Sequence, residues 1–316
     1  MSGGTRPLVP SRLTSGGVSA HGPRRAPRSV VGGYIALTKP RIIELLLITT
    51  VPTMVLAEKG WPSWGLVIIT LVGGTLAAGG ANAINMVVDR DIDRLMERTK
   101  NRPLVTGLVQ PRGALIFALC LQVAAFAVLW AGANLLSAVL ALSATLFYVF
   151  VYTLWLKRTS RQNIVIGGAA GAVPVLVGWA AVQNSLAWEP FLLFIAIFLW
   201  TPPHFWALAI RHADDYRAAQ VPMLPTVTTL EETVRQMVAY TVVLAVATIA
   251  LGPVADLGIL YLVAAIVLNL AFIGGTVRLG RQPTPARSMR LFAFSISYVT
   301  LLFVAMAVDV FIEHGF

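Results

Sequence analysis

Long apolar segments, separated by polar ones, occupy about two thirds of the chain from residue 42 onward. A helix that crosses a membrane needs about 20 mostly apolar residues, because the hydrocarbon core is ~30 Å thick. Continuous runs such as LLFVAMAVDVF favour helices over the strands of a membrane barrel, which alternate in character over about ten residues. We therefore predict nine membrane-spanning helices. Their ranges are 42–57, 65–86, 114–131, 135–156, 163–182, 190–210, 237–255, 257–277 and 291–312.

The composition supports a protein that lies within the bilayer. Of the 316 residues, 57% are hydrophobic and 12% are charged, and the mean hydropathy is +0.77. Soluble chains average roughly 45–50% apolar and about 25% charged residues, so an ordinary soluble enzyme, a disordered protein and a fibrous protein are excluded. The single cysteine, Cys120, excludes a disulfide framework and a cysteine-ligated metal centre. We predict an all-α polytopic membrane protein.

The basic residues indicate how the chain crosses the membrane. In the nine-span arrangement every Lys and Arg except Lys59 falls on one side, and this asymmetry predicts that the basic side is cytoplasmic. The N-terminus is therefore expected inside and the C-terminus outside. Because the positive charges lie between apolar runs, the net charge of +10 is interpreted as a topology signal, and no nucleic-acid partner is expected.

The N-terminal segment differs from the rest of the chain. Its first 38 residues contain no acidic residue and no apolar core, which excludes a secretory signal. We expect a disordered basic tail over residues 1–33 and one membrane-embedded domain over residues 34–316. The tail fits a protein of the bacterial plasma membrane; a transit peptide, and with it the mitochondrial inner membrane, is the alternative.

A stripe of oxygen-bearing side chains follows the second span. Asn85, Asp89 and Asp93 are spaced four residues apart, which places them on one face of a helix. Such acceptors repel one another unless a cation bridges them, and they suit Mg²⁺, which binds carboxylates together with substrate phosphates. The alternative is a solvated loop in which the acids pair with nearby basic residues. These basic residues are Arg90, Arg94, Arg98, Lys100 and Arg102.

A second acidic cluster, Asp214 and Asp215, follows the sixth span on the same predicted side. The two clusters are four spans apart, which predicts two similar four-helix halves plus a ninth helix around a central cavity. Facing clusters would bind a diphosphate through Mg²⁺ from both sides, although an isolated Asp-Asp pair is usually only solvated. Between the fourth and fifth spans, Lys157 and Arg158 are candidates to hold diphosphate oxygens as charge develops on the leaving group; topology alone could also explain them.

Three segments together resemble the intramembrane prenyltransferases of the UbiA type. They are the stripe, the segment YTLWLKRTSRQNIVIGG (152–168) and the segment TPPHFWALAIRHADDYRAAQVPMLP (201–225), within a resemblance that covers residues 34–312. The last segment is most similar to the branch that acts on protohaem IX. The resemblance implies transfer of a farnesyl group from farnesyl diphosphate to a vinyl group of haem B, which gives haem O and diphosphate. Haem A synthase is a candidate partner.

The resemblance also implies roles for individual residues. By this resemblance, Asp89, Asp93 and Lys157 would be catalytic. The chain differs from relatives that act on quinone precursors at the start of the second cluster, where it has Arg211 and they have a carboxylate. The number of Mg²⁺ ions is therefore open. The implied metal ligands are Asn85, Asp89, Asp93, Asp214 and Asp215. The implied diphosphate-binding residues are Asn85, Arg102, Lys157, Arg158 and Asp215.

Two histidines are candidates for haem binding. His204 lies in the sixth span, where a polar side chain is usually functional, and His212 lies in the loop that follows. His204 could bind the haem iron or hydrogen-bond a propionate, or it could be a satisfied core histidine.

Two other functions remain as alternatives. One is prenyl transfer to an aromatic quinone precursor or a chlorin. The other is ion or proton transport, which predicts acids deep within several spans, whereas Glu44 and Asp309 lie near the ends of theirs.

Overall fold

The computed structural model describes residues 29–315, apart from the side chains of residues 41–47. Most of the expected tail, residues 1–28, therefore lies outside the described residues. Residues 29–315 form helices and connecting loops, with no strand among them. The helices are α1 (Val30–Thr38), α2 (Pro40–Glu58), α3 (Trp64–Val88), α4 (Arg90–Asp93), α5 (Pro111–Gly132), α6 (Leu135–Thr159), α7 (Asn163–Gln183), α8 (Trp188–Arg211), α9 (Ala213–Ala218), α10 (Leu224–Val227), α11 (Leu230–Val254), α12 (Ile259–Arg281) and α13 (Pro285–His314).

The long helices agree with the predicted spans. Of the described helices, 8 are long and apolar enough to cross a membrane: α3, α5, α6, α7, α8, α11, α12 and α13. The first predicted span corresponds to α2, whose 19 residues extend about 28 Å. The predicted all-α membrane fold is confirmed, and every predicted segment coincides with one helix.

Two helices begin several residues before their apolar segments. A threonine caps each of them: Thr229 accepts a hydrogen bond from the Glu232 N–H, and Thr284 accepts one from the Arg287 N–H. Hydropathy predicted only the apolar part of α11 and α13, because their first turns are polar.

Within residues 29–315, the nine long helices form a closed ring. Each packs against the next in the chain, and α13 returns to pack against α2. Within the ring, α2 also contacts α7, and α8 also contacts α13. The approach of α2 to α7 requires Gly178, where an added Cβ would lie 2.9 Å from the Thr50 carbonyl oxygen. The first helices of the two predicted halves are therefore in direct contact.

The second part of α6 is a π-helix over Phe147–Leu156. Its wider turn is visible in a side-chain contact, since the Thr153 hydroxyl donates a hydrogen bond of 2.8 Å to the Tyr148 carbonyl, five residues earlier. Such segments are rare and often occur at functional sites. Here the π-helix directs Thr153 toward the end of α3. It also directs Lys157, the first residue after the π-helix, toward the same place.

Candidate functional site

The stripe lies where α3 ends. The Asp89 N–H donates to the Asn85 carbonyl and the Asp93 N–H donates to the Asp89 carbonyl, both at 2.9 Å, so the helical pattern continues into α4. The three side chains therefore share one face, as the spacing predicted. All three are buried: Asn85 is 2% exposed, Asp89 0% and Asp93 3%.

A cation from a different part of the chain contacts each member of the stripe. The Lys39 Nζ donates to the Asn85 Oδ1 at 2.9 Å, and the Lys157 Nζ pairs with the Asp89 Oδ2. The Arg102 guanidinium pairs with the Asp93 Oδ2 at 2.5 Å. Because the pairs of Asp89 and Asp93 are largely buried, removing either partner would leave an uncompensated charge in the interior.

One oxygen of this cluster receives no hydrogen bond from any residue that the structure describes. The Asn85 amide donates to the Asp89 Oδ2 at 2.7 Å and to the Thr153 hydroxyl at 3.2 Å. The buried Asp89 Oδ1 accepts no hydrogen bond from the described residues, and the Arg158 guanidinium lies 3.9 Å from it. A buried carboxylate oxygen without a partner is costly. This oxygen is therefore available to a further cation.

Arg158 itself is bound mainly to an acid outside the stripe. Its guanidinium donates to both oxygens of Asp91, at 2.6 Å and 2.7 Å, and to the Val88 carbonyl at 3.1 Å. These contacts lower the pKa of Asp91 to about 2. Arg158 thus joins the end of α6 to the end of α3, next to Asp89.

Lys39 was not predicted as a site residue, because it was interpreted as a topology charge. It separates α1 from α2 in a left-handed conformation, with φ at 53°. The preceding Thr38 carbonyl accepts a hydrogen bond of 3.1 Å from the Asn82 amide on α3, which fixes this junction beside the stripe. Burial, followed by repulsion from Arg102 and Lys157, lowers the pKa of Lys39 well below its usual value. The signal that could have identified Lys39 was its place in the segment TKPRI (38–42), which also resembles the family.

The second cluster is in contact with the loop after the stripe, but only one of its acids takes part. The Asp215 Oδ1 accepts a hydrogen bond of 3.2 Å from the Glu97 N–H, and the Arg98 guanidinium lies over the Tyr216 ring, 5.9 Å from its centroid. Asp214 is fully exposed and pairs with Arg217 at 2.9 Å.

His212 lies beside this cluster. Its Nδ1 is 3.8 Å from the Asp215 Oδ2. Burial and the positive charge of Arg98 lower the pKa of His212. Among the described residues, no three His, Cys, Asp or Glu side chains are grouped closely enough to hold a metal by themselves.

His204 is packed between α8 and α13. Its Nδ1 shares a hydrogen bond of 2.6 Å with the Ser295 hydroxyl, and its ring stacks between Trp200 and Phe292, with centroids 4.2 Å and 4.5 Å away. Helix α8 continues through the adjacent prolines without a break. The observed contacts agree with the alternative of a satisfied core histidine, and they leave its role toward haem a prediction.

These features define a polytopic membrane protein whose helix ring holds a buried cluster of carboxylates and cations. Residues 46–301 match the UbiA prenyltransferase family, and the chain belongs to that family. This confirms the resemblance inferred from the three sequence segments.

Curated relatives are similar over most of the chain. A protoheme IX farnesyltransferase of Gloeobacter violaceus is 54% identical over 292 residues, which cover 90% of this chain and 96% of the relative. Another protein of that name, from Parafrankia sp. (strain EAN1pec), is 53% identical over 277 residues, which cover 87% and 88%.

Solved structures show the same fold at low sequence identity. A UbiA homologue from Aeropyrum pernix K1 has a TM-score of 0.68 and 21% identity, over 85% of this chain and 98% of that one. A UbiA homologue from Archaeoglobus fulgidus bound to GPP and Mg²⁺ has a TM-score of 0.62 and 18% identity, over 87% and 99%.

Proposed function

We propose that this protein transfers the farnesyl group of farnesyl diphosphate to a vinyl group of haem B, which forms haem O and releases diphosphate. Relatives that carry the corresponding name share about half of their residues with this chain. The observation that carries the proposal is the buried stripe, in which two carboxylates and an amide face three cations.

The stripe fits a divalent cation. Carboxylate and amide oxygens are hard ligands, and the buried Asp89 Oδ1 has no donor among the described residues. We propose Asn85, Asp89 and Asp93 as the residues that hold Mg²⁺, with Asp215 contributing from the second cluster. Asp214 would have to break its ion pair with Arg217 before it could bind the metal. When bound, Mg²⁺ would neutralise charge on the diphosphate.

The surrounding cations have a role in the departure of the diphosphate. Lys157 and Arg102 hold the stripe carboxylates, and Lys39 holds its amide, so all three stand beside the proposed metal ligands. As substrate binds, these cations can donate to diphosphate oxygens and stabilise the charge that develops there. Arg158 would act from the edge of the cluster, where Asp91 orients it.

The reaction then needs an apolar space for the organic partners. The bond between C1 of the farnesyl group and the diphosphate oxygen breaks, and the oxygen keeps the electron pair. The outer vinyl carbon of haem B bonds to C1, and water adds to the inner vinyl carbon and loses a proton, which gives the hydroxyethylfarnesyl group. Apolar helices exclude other water from the cation before the vinyl group attacks.

The membrane setting follows from the same proposal. We propose that the basic side, which includes the stripe, faces the cytoplasm of a bacterial cell, with the N-terminus on that side. His204 and His212 stay proposed contacts of haem B, and haem A synthase, which would consume the product, stays a proposed partner.

The direct test is a reaction with purified components. Protein in detergent with Mg²⁺, haem B and farnesyl diphosphate should yield haem O on chromatography, and chelation of Mg²⁺ should stop the reaction. Asp256→Asn, at an exposed position paired with Lys59, is the matched control and should keep full activity. Well-folded protein that forms no haem O, or that prenylates a quinone precursor or a chlorin instead, would contradict the proposal.

A further inference from the structure

A groove separates the joined ends of α12 and α13. Its volume is about 720 Å³, which is within the usual size of a ligand site. Four arginines lie around it, and apolar side chains form its floor. The arginines are Arg278, Arg281, Arg287 and Arg290, and the floor is Ala271, Gly275, Leu279, Leu291 and Phe294.

No carboxylate in the described part of the chain pairs with any of the four arginines. Among the side chains that the structure describes, none of these guanidiniums pairs with a carboxylate, and one donates to a neutral group, from Arg287 to the Gln282 carbonyl at 3.3 Å. By contrast, Arg102, Arg158 and Arg217 are all paired. Four like charges around one groove repel one another, so an anion that enters it would be stabilised.

The floor continues into the outer surface of the helix ring. Gly275 allows α13 to lie close to α12, since an added Cβ would be 3.1 Å from the Leu291 Cδ1. Farther along α12, Val263, Val267 and Leu270 are exposed and face outward from the ring. A molecule in the groove therefore meets positive charge at one end and apolar surface at the other.

We propose that this groove binds an anionic phospholipid. Its phosphate would lie among the four arginines, whose guanidiniums match phosphate oxygens with two parallel hydrogen bonds, and its acyl chains would follow the apolar surface of α12. Basic pockets between membrane helices on the cytoplasmic side bind anionic headgroups in this way. The proposal does not depend on the reaction that the protein catalyses.

The test compares lipid retention by matched variants. Full-length protein is reconstituted in nanodiscs of phosphatidylglycerol and phosphatidylcholine in equal amounts, released into mild detergent, and its bound lipid is measured by native mass spectrometry. Wild-type protein should retain phosphatidylglycerol. In Arg278→Gln/Arg290→Gln the preference for phosphatidylglycerol should fall about 30-fold, because each arginine near an anionic surface contributes about fivefold.

The control variant is Arg112→Gln/Arg161→Gln, which removes two exposed arginines outside the groove and should retain lipid as the wild type does. Equal retention by the groove variant and the control would overturn the proposal. If the groove variant does not fold, the test uses wild-type protein at different salt concentrations. Its preference for phosphatidylglycerol should fall steeply between 0.05 and 0.5 M NaCl, because salt screens the arginines. A preference that does not respond to salt would overturn the proposal. Displacement of the phospholipid by one equivalent of haem B would also overturn it, because the groove would then be a site for the carboxylates of haem and not for a phospholipid.

Discussion

Asp89 and Asp93 are buried and pair with Lys157 on another helix and with Arg102 in the following loop, whereas Asp214 is exposed and pairs with Arg217, three residues away. Asp89 and its partner Lys157 are 68 residues apart, so folding of α6 against α3 is required to bring them together. An exposed pair within one turn of helix contributes little, because water competes and side-chain freedom is lost. Two acidic motifs that look equivalent in the sequence therefore differ in how firmly their carboxylates are held.

The difference indicates a division of labour between the clusters. The first cluster is already oriented by neighbouring helices, as a site that stabilises developing charge requires. The second cluster reaches the first through Asp215, which contacts the backbone of the loop after the stripe. We therefore expect the stripe to carry most of the effect on catalysis.

The largest effect is expected for Asp89→Asn. This change removes a proposed metal ligand and leaves Lys157 buried without its partner, so the turnover rate should fall at least about 100-fold. Haem O formation by purified protein measures it. Asp214→Asn is the matched change in the second cluster and should cost about fivefold or less, because its carboxylate is exposed. An Asp214→Asn defect as large as that of Asp89→Asn would break the comparison.

A similar but smaller contrast is expected between two basic residues. Lys157→Met should lower the turnover rate about 100-fold or somewhat less, since the other cations of the cluster remain, and Lys157→Arg should restore part of the activity. Arg217→Met should have little effect, because its partner Asp214 is already solvated. Single-turnover measurements separate chemistry from product release. Equal loss in Lys157→Met and Lys157→Arg, with both proteins folded, would argue that Lys157 only supports packing.

Lys39→Met is expected to lower activity about tenfold, because Lys39 contacts a neutral amide rather than a carboxylate. Its effect on stability has the opposite sign. Burial and nearby positive charges disfavour the protonated lysine in the folded protein, so the thermal midpoint of Lys39→Met should equal or exceed that of the wild type. Lys100→Met, at an exposed lysine that pairs with Glu97 in the same loop, is the control for both measurements. A lower midpoint together with normal activity would show that Lys39 is a structural residue.

Local periodicity explains which parts of this arrangement could be predicted. The spans follow from apolar length, and the shared face of Asn85, Asp89 and Asp93 follows from their spacing in a helix. The resemblance to the family was based on three segments, each of which is short and continuous in the sequence. These inferences need no knowledge of how the helices pack.

The features that could not be predicted depend on packing between distant segments. The π-helix in FYVFVYTLWL could not be predicted from periodicity, because apolar residues occupy every face of that segment. The contact of Lys39 with Asn85 depends on the left-handed turn between α1 and α2. Asp214 and Asp215 are neighbours in the sequence, and only the fold distinguishes the exposed acid from the one that reaches the other cluster.

The smallest effect is expected where the two clusters meet. Asp215→Ala removes the acceptor for the Glu97 N–H and one proposed metal ligand, while the stripe keeps its own three contacts. If the stripe dominates catalysis, the apparent affinity for Mg²⁺ should fall about tenfold. The turnover rate at saturating Mg²⁺ should change about threefold or less, because one solvent-accessible carboxylate contributes less than the buried carboxylates of the stripe. A titration of activity with Mg²⁺ measures both quantities. A turnover rate that stays about 100-fold below that of the wild type at saturating Mg²⁺ would instead mean that both clusters contact the leaving group equally. The asymmetry between the clusters would then be a feature of the substrate-free protein alone.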